Sequence, residues 1–554
     1  MSEPLSEPLL GLDAFFAHFW RRNPVSATFA GLHSYDSVLP DWSASNLKTN
    51  AREMLTLHEE LGAFATTDPW EAMDIDLARA TLEIRIAEDA GSHGVRGNPA
   101  LWSGEAVFGM VSLMLRRFAA ADTRAEHLMR RIGAIPGFLA TAESTLGNTT
   151  PASWSARAIR ECEGAKLLLE DMPLWLKSEK VSDEVAERVM AAIPAATDAF
   201  AEFASWLKRR SPASESSVAS GPEFFDLLLA RGHQSTRARA DLLADAQARF
   251  VDAKATLERT ATEEYGSWAA VEERLAAAHP AADSYLASFD KTWLQCFQKA
   301  QRADVVDWPH WPVHYVHQPV WAQRAAPFLY FLHYRSPAPY DLAIAHQYFV
   351  PPVDAADPEK YFKTWNHAVI KLNHVVHHGA IGHHVQNWHA YNRAMSRIGN
   401  FAAVDCASRI AMFCGGSMAE GWACYATELM EELGFLTPLE KLSEQHSRVR
   451  FLARAIVDIS LHQRTMTLDE AARFYQEQVG MPEAAAKNEA TKNSMFPGTG
   501  LMYWLGMQGI IDLREELKRR QGETFSLRQF HDEFLEHGSI PVPLVARRML
   551  ELAS

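Results

Sequence analysis

Seven of the chain's 23 histidines lie between positions 367 and 389, and this density suits metal binding. Neutral imidazole is the commonest side-chain ligand for metals, and two or three converging imidazoles suit zinc, iron, nickel or manganese. The alternative is a helix whose imidazoles face solvent or cap carbonyl groups. We favour metal binding because the cluster is dense and includes two glycines. The seven residues are His367, His374, His377, His378, His383, His384 and His389.

Helical spacing divides these histidines into groups that share a face. His374 and His378 are four residues apart, and His377 and His384 are seven apart, so each pair lies on one side of a helix. His377 and His383 are six apart, which places them about 120° apart around an ideal helix. That last pair therefore cannot meet on an unbroken helix.

Two glycines decide whether His377 and His383 can bind the same ion. Gly379 and Gly382 lie between them, and glycine tolerates the backbone conformations of a bulge or a break. We therefore expect the helix to be interrupted there and the two imidazoles to converge.

A third ligand must come from elsewhere, and Glu420 is the best candidate. Glu420, Cys424 and Glu428 follow at four-residue intervals and so share one side of a predicted helix. Zinc sites built from two helices commonly take two histidines from one helix and a glutamate from the other. The alternative for Glu420 is a solvated helix glutamate, and a buried free cysteine such as Cys424 is more often inert packing than a ligand.

Composition and motifs narrow the classes of function. Lys and Arg number 54 against 69 Asp and Glu, and the resulting net charge of −15 argues against a nucleic-acid partner. The sequence has no Gly-x4-Gly-Lys-Ser/Thr or Gly-x-Gly-x-x-Gly phosphate loop and no Gly-x-Ser-x-Gly nucleophile motif. Nucleotide binding and serine hydrolysis are therefore disfavoured.

Apolar runs and cysteines indicate the compartment. The longest apolar runs, such as residues 106–115, are far shorter than the roughly 20 residues that span a bilayer. The N-terminus lacks a basic region followed by a cleavable apolar stretch. Five irregularly spaced cysteines without a Cys-x-x-Cys fit reduced thiols. We therefore expect a cytoplasmic protein with no membrane partner, while the oligomeric state is not determined.

Most of the chain has the composition and spacing of helix. Apolar residues recur every three or four positions among Ala, Leu, Glu, Arg and Met, as in Asp183–Arg209 and residues 235–265. The small polar stretch 211–221 predicts a loop. We expect a helical region over residues 1–210 and a region over residues 222–554 that carries the metal site, joined as one continuous body.

Residues 305–340 differ from the rest, because six prolines are mixed with many aromatic residues. Val313–His317 and residues 328–334 are β-compatible runs between prolines. We therefore expect a small sheet. Val313–His317 is either an edge strand that pairs with an extended substrate or a core strand.

The histidine cluster and Glu420 lie in two motifs through which the chain resembles a large bacterial family. This family is catalogued as domain of unknown function 885, and its members look like zinc metallopeptidases of the gluzincin type. The family motif His-Glu-x-x-Pro-Gly-His-His-x-Gln matches the frame of residues 377–386, and Glu-Gly-Trp-Ala-x-Tyr matches residues 420–425. The resemblance covers nearly the whole chain. Further matching segments are residues 23–31 with Asp36 and residues 39–41, Arg454-x3-Asp458-x3-His462, and residues 496–506, 530–532 and 538–541.

The resemblance implies a metal ion held by His377, His383 and Glu420. It also implies contacts from His462 and Tyr503 to the substrate or transition state, where a hydrogen bond to the developing oxyanion supplements the metal. The alternatives are structural: His462 as partner of the aspartate one turn before it, and Tyr503 as a core tyrosine. Additional site candidates are His374, His384, Glu428, Arg454 and Asp458.

The chain departs from the family pattern at the expected general base. His378 stands where the family has the Glu that takes a proton from water, and Ile381 stands in place of the Pro. Imidazole remains a proton acceptor but changes reach, charge and pKa. His378 is therefore the base of a modified hydrolase, an additional metal ligand, or the mark of an inactive site. The retained ligand frame argues against inactivity.

We therefore expect a mainly α fold, a large helical metallopeptidase-like body with a deep cleft and a small β-sheet near the metal-binding helix. The predicted function is that of a metal-dependent hydrolase-like enzyme acting on a small peptide, amide or related metabolite, with His378 in place of the base Glu. The predicted cofactor is one divalent transition metal, zinc first, with iron or manganese as alternatives. The alternative functions are a non-hydrolytic metalloenzyme that transforms a small metabolite and an inactive binding or scaffold protein.

Overall fold

The computed structural model describes residues 9–308, 311–329, 334–341 and 346–553. Helices account for 71% of the structure, so the predicted mainly α fold is confirmed. Within the described ranges, no helix combines the length and the apolar character that crossing a bilayer would need.

The first thirteen α-helices lie between residues 11 and 303. The helix predicted over Asp183–Arg209 has those bounds. The helix predicted over residues 235–265 begins later, at Arg239, because Ser235 Oγ accepts the backbone N–H of Arg237 and holds a local turn instead. These helices are α1 (Gly11–Arg22), α2 (Pro24–Ala30), α3 (Ala44–Ala63), α4 (Pro69–Ala90), α5 (Pro99–Met114), α6 (Ala121–Thr145), α7 (Ala152–Glu170), α8 (Met172–Glu179), α9 (Asp183–Arg209), α10 (Pro222–Leu227), α11 (Arg239–Tyr265), α12 (Trp268–Ala277) and α13 (Tyr285–Ala303).

The helices from α14 onward carry the candidate site. Ile370–Gly379, which follows α16 directly, is π-helical, a wider turn that occurs frequently at functional sites. The helices are α14 (Val320–Gln323), α15 (Pro358–Thr364), α16 (His367–Val369), α17 (His383–Arg393), α18 (Gly416–Glu432), α19 (Pro438–His462), α20 (Leu468–Val479), α21 (Glu483–Met495), α22 (Met502–Gln521), α23 (Leu527–Leu535) and α24 (Val542–Leu552).

A two-stranded parallel sheet lies between α13 and α15. Its strands are β1 (Val313–His317) and β2 (His346–Val350), paired along their full length. The predicted first strand is confirmed. Of the second predicted run, residues 328–334, positions 330–333 lie outside the described residues, and the rest of that run is not in a strand. The partner strand comes from farther along the chain, as parallel pairing requires a long connection.

The sheet packs directly behind the helix that carries the histidine cluster. Tyr315 Oη of β1 donates a hydrogen bond to the carbonyl of His374 at 3.2 Å, and Tyr348 Oη of β2 lies 2.5 Å from His374 Nδ1. Both tyrosines are buried. The sheet therefore holds the π-helical segment at its backbone and at one of its side chains.

Helices α18 and α22 pack with their backbones in contact. A Cβ at Gly421 would lie 2.5 Å from Gly506 Cα, and a Cβ at Gly506 would lie 2.0 Å from the Ser417 carbonyl oxygen. Both distances are far inside van der Waals contact, which lies at about 3.5–4.0 Å. Only glycine permits this approach, which brings Glu420 of α18 and Tyr503 of α22 to the same cavity.

One apolar core runs through the whole chain, from Leu12 in α1 to Met549 in α24. Polar contacts also join the two predicted regions, as where Trp154 Nε1 donates to Ser494 Oγ at 2.8 Å. These contacts favour the prediction that the two regions form one continuous body.

We predict that Gly506→Ala destabilises the protein, because the added methyl group must displace the α18 backbone. Overpacking of this kind costs about 1–3 kcal/mol or more. Gly133→Ala in α6 is the matched control, since open space surrounds that position and helix propensity favours alanine there by up to about 1 kcal/mol. Chemical denaturation measures both free energies of unfolding, and equal effects would contradict the packing argument.

Candidate metal centre

The helix that carries the histidine cluster is broken at the two glycines where the sequence predicted an interruption. The π-helical segment stops at Gly379, and α17 begins at His383. A Cβ at Gly379 would lie 2.1 Å from Tyr315 Oη, and a Cβ at Gly382 would lie 1.9 Å from the His377 carbonyl oxygen. Glycine is required at both positions because a side chain would collide with these atoms.

The break turns His377 and His383 toward each other and toward Glu420. The two imidazole centroids lie 4.8 Å apart. Glu420 Oε2 lies 3.4 Å from His377 Nε2 and 3.7 Å from His383 Nε2. A tetrahedral zinc ion with bonds of about 2.0–2.1 Å places its donor atoms about 3.3–3.4 Å apart. The three side chains assigned from the sequence thus stand near the separation that such a site needs.

His378 belongs to the same group. Its ring centroid lies 4.8 Å from that of His377 and 5.4 Å from that of His383. One nitrogen of each of the three rings lies within 4.8 Å of the others. The site therefore offers three imidazoles close to one another and one carboxylate beside two of them.

Burial and charge set the protonation states of these groups. Burial raises the pKa of the Glu420 carboxyl, but interactions with His377 and His383 outweigh it and lower the pKa to about 2. Burial lowers the pKa of His383 to about 4, against the charge of Glu420. Burial and the neighbouring imidazoles hold the pKa of His378 well below its ordinary value. At neutral pH the site thus presents a carboxylate and at least two neutral imidazoles, the forms that bind divalent metals.

The Glu420 carboxylate supports the fit of a cation. Its Oε2 atom is buried and makes no hydrogen bond of regular geometry with the described residues, although His377 Nε2 lies 3.4 Å away. A buried carboxylate oxygen without a regular donor requires an explanation, and a bound cation supplies one. The donor types and their separations thus fit a divalent metal.

Trp422 fixes the broken helix against α18. Its indole Nε1 donates to the carbonyl of Ile381 at 2.8 Å, and its ring is fully buried. Ile381 stands where the resembling family has proline. Because the acceptor is a backbone oxygen, this replacement leaves the anchor intact.

A cavity of about 840 Å³ opens on these side chains. Its walls come from α4, from the broken helix, and from helices α18, α19, α21 and α22. The volume lies within the range of about 300–1,000 Å³ that is usual for small-molecule sites. The deep cleft expected from the sequence stays a prediction.

Tyr503 and Arg454 lie on the cavity wall, as the sequence candidates require. The Tyr503 ring stacks on Phe451 with centroids 5.6 Å apart, and the Arg454 guanidinium lies 4.6 Å from the Tyr503 centroid. Arg454 Nε donates to Glu489 Oε1 at 2.7 Å. Packing and charge therefore position the tyrosine ring at the edge of the cavity.

His462 and Asp458 do not line the cavity. His462 is fully buried, with Nε2 donating to the Asn493 carbonyl at 3.0 Å and Nδ1 accepting the Ser220 N–H at 3.1 Å. Asp458 lies 3.6 Å from His462 and accepts two backbone N–H groups of the loop leading into α22, at 3.0 and 2.9 Å. This geometry favours structural roles, since the pair supports the loop that precedes Tyr503.

His374 and His384 also lie away from the cavity. His374 stacks on Trp365 with centroids 4.3 Å apart and meets Tyr348 of the sheet. His384 is fully buried, and its Nε2 is hydrogen-bonded to the carbonyl of Trp311. Both histidines therefore connect the broken helix to Tyr348 of β2 and to the backbone of Trp311, away from the cavity.

Glu428 and Cys424 complete the α18 face that the sequence singled out, but neither lines the cavity. Glu428 lies 4.0 Å from Arg448. Burial raises the pKa of the Cys424 thiol well above its ordinary value. Glu428 is thus near the guanidinium of Arg448 and not at the metal centre. Cys424 is a buried thiol that packs in the core.

The structure adds cavity residues that sequence reasoning missed. Arg450 and Lys492 line the cavity, as does Tyr334, whose ring lies 5.6 Å from that of His378. Arg450 carries one sequence signal, because it lies one helical turn before Arg454 and shares its face. Lys492 and Tyr334 carry none.

The mainly α fold and the His and Glu side chains on one cavity define a large helical protein with a candidate metal centre. The chain belongs to the family described as bacterial protein of unknown function (DUF885), whose model matches residues 24–549. The family resemblance drawn from the motifs is therefore confirmed, while the gluzincin relationship stays a prediction.

Two solved structures share the fold. One is a "putative lipoprotein of unknown function" from Shewanella oneidensis, with 21% identity and a TM-score of 0.76 over 98% of this chain and 100% of that one. The other is a "putative lipoprotein" from Colwellia psychrerythraea, with 18% identity and a TM-score of 0.75 over 99% and 100%. No curated protein matches the chain significantly. The cytoplasmic location stays a prediction.

We predict that the protein binds one zinc ion and that Glu420→Gln lowers its zinc affinity. Losing a residue that only supports a ligand costs about 10–100-fold in metal affinity, so losing the ligand itself should cost more. The substitution replaces the carboxylate, the one charged ligand among the three proposed side chains, with a neutral amide. Glu428→Gln makes the same change two turns along α18, outside the cavity, and should leave affinity unchanged. Competition titration with a chelating dye measures both, and equal affinities would refute the assignment of Glu420.

Proposed function

We propose that the protein is a metal-dependent hydrolase-like enzyme acting on a small peptide, amide or related metabolite. The observation that carries this proposal is the convergence of His377, His383 and Glu420 on one cavity of about 840 Å³. Zinc is the proposed ion, with iron or manganese as alternatives, because imidazole and carboxylate donors suit all three. When bound, the ion would supply Lewis acidity and lower the pKa of water.

The surrounding side chains can carry the proton and charge transfers of amide hydrolysis. The reaction breaks the C–N bond, with the hydroxyl of water joining the acyl carbon and the proton joining the leaving nitrogen. His378, held neutral by burial, accepts the proton from water and returns it to that nitrogen. Tyr503, packed against both Phe451 and Arg454, donates a hydrogen bond to the developing oxyanion.

A second candidate function is supported by the position of His378. Its nitrogen lies within 4.8 Å of those of His377 and His383, so it is as well placed for binding an ion as for taking a proton. Three imidazoles and one carboxylate would fill a four-coordinate site and favour a non-hydrolytic transformation of a small metabolite by a redox-active ion.

We predict that His378→Ala keeps the metal but lowers kcat for amide hydrolysis by about 10²–10⁴-fold, the usual contribution of a general base. Metal content and the hydrolysis of a dipeptide panel are measured together. His367→Ala, an exposed histidine of the same cluster, is the control and should change neither. Loss of metal from His378→Ala would instead make His378 a ligand and favour the second candidate function.

A further inference from the structure

The cavity carries more cations than carboxylates, although the chain is acidic overall. Among the described residues, eight Arg or Lys side chains and five Asp or Glu side chains line it. The whole chain has a net charge of −15. Arg157 and Arg231 pair with Glu161, Asp76 and Glu83, which lie outside the lining, so an anion in the cavity is drawn to a cation that no such pair neutralises.

Arg450 is a lining cation that no ion pair or hydrogen bond holds in the described part of the chain; it lies 5.9 Å from the centroid of the Phe451 ring and within electrostatic reach of Glu489. Arg335 and Lys492 interact with neighbouring groups. Arg450 makes no ion pair or hydrogen bond with the described residues, and its Nε is buried. Its Nε has no access to water, so an anion that enters the cavity and pairs with the guanidinium offsets the cost of burying that group. Ion pairs hold the other five: Arg85, Arg157, Arg231, Arg409 and Arg454.

Arg450 lies close to the candidate metal centre but not within it. It is within electrostatic reach of Cys424, which follows Glu420 by one turn of α18, about 6 Å along the axis. The positive charge of Lys492 in α21 helps to lower the pKa of the Glu420 carboxyl. The guanidinium and the metal-binding side chains line the same cavity, so an anion bound by Arg450 lies in the space onto which the candidate metal ligands open.

We propose that Arg450, with Lys492 on the wall of the same cavity, binds the α-carboxylate of the substrate, so that the substrates are dipeptides and N-acyl amino acids cleaved at the amide next to the free carboxylate. This inference rests on the proposed hydrolytic function of the same site. The planar guanidinium matches a carboxylate with two parallel hydrogen bonds, which gives both affinity and orientation. The bound carboxylate places the adjacent amide carbonyl toward His377, His383 and Glu420.

The test compares acids with amides. Calorimetry measures binding to the zinc-loaded protein of a panel of N-acetyl amino acids, each paired with its C-terminal amide. We expect the acids that bind to do so at least about 10-fold more tightly than their amides, the range of a charge-assisted hydrogen bond. A panel in which no acid is preferred to its amide would overturn the proposal.

Variants of Arg450 test whether this side chain recognises the carboxylate of the ligand. Arg450→Gln should abolish the preference for acids, and Arg450→Lys should retain part of it, because the charge stays while the planar fork is lost. Arg259→Gln removes one exposed positive charge on α11 and should leave the preference intact. A preference that survives in Arg450→Gln would overturn the assignment. Should that variant fail to fold, Arg450→Lys and the acid–amide comparison in the natural protein still decide.

The two proposals fail in different ways. A protein that binds no metal, or hydrolyses no amide, refutes the proposed function, while the preference for acids over amides is then measured by calorimetry on the metal-free protein. A zinc-loaded protein that hydrolyses acid-ended and amide-ended substrates with equal kcat/KM supports the proposed function and overturns carboxylate recognition by Arg450.

Discussion

The passage of the backbone at Gly382 beside the carbonyl of His377 is the contact on which the site depends. A Cβ there would lie 1.9 Å from that oxygen, so the helix breaks here only because this residue has none. The break brings His383 to His377, and Trp422 holds the same segment against α18 through a backbone carbonyl. The donor atoms are thus placed by backbone contacts and buried aromatic rings, a scaffold that is rigid before any ligand arrives.

Features that follow from helix periodicity could be predicted from the sequence. The spacing of His377 and His383 around two glycines predicted the break, and Glu420 was placed on a facing helix by the same reasoning. Contacts between distant segments could not be predicted. His462 has a motif position, but its ring nitrogens meet Ser220 and Asn493, which no local pattern connects. The pairing of β1 with β2 and the exposure of Arg450 to the cavity are likewise properties of the tertiary structure.

The replacement of a carboxylate by His378 changes the electrostatics of the whole cavity. A glutamate there would add a second negative charge beside Glu420, and together they would balance a divalent cation. With a buried neutral imidazole, one carboxylate would balance only half of the charge of a divalent cation bound there. Arg450, which no ion pair holds among the described residues, adds a positive charge on the same cavity wall. Both features favour anionic groups on the molecules that enter.

The contact between α18 and α22 has a mechanical consequence. At Gly421 and Gly506 the two backbones already touch, so the helices cannot move closer, and separation would expose the apolar core between them. The motion left to them is a small slide along their length, the shear movement of packed helices. Because Glu420 and Tyr503 are on opposite members of the pair, sliding would change the offset between them while hardly altering the width of the cavity.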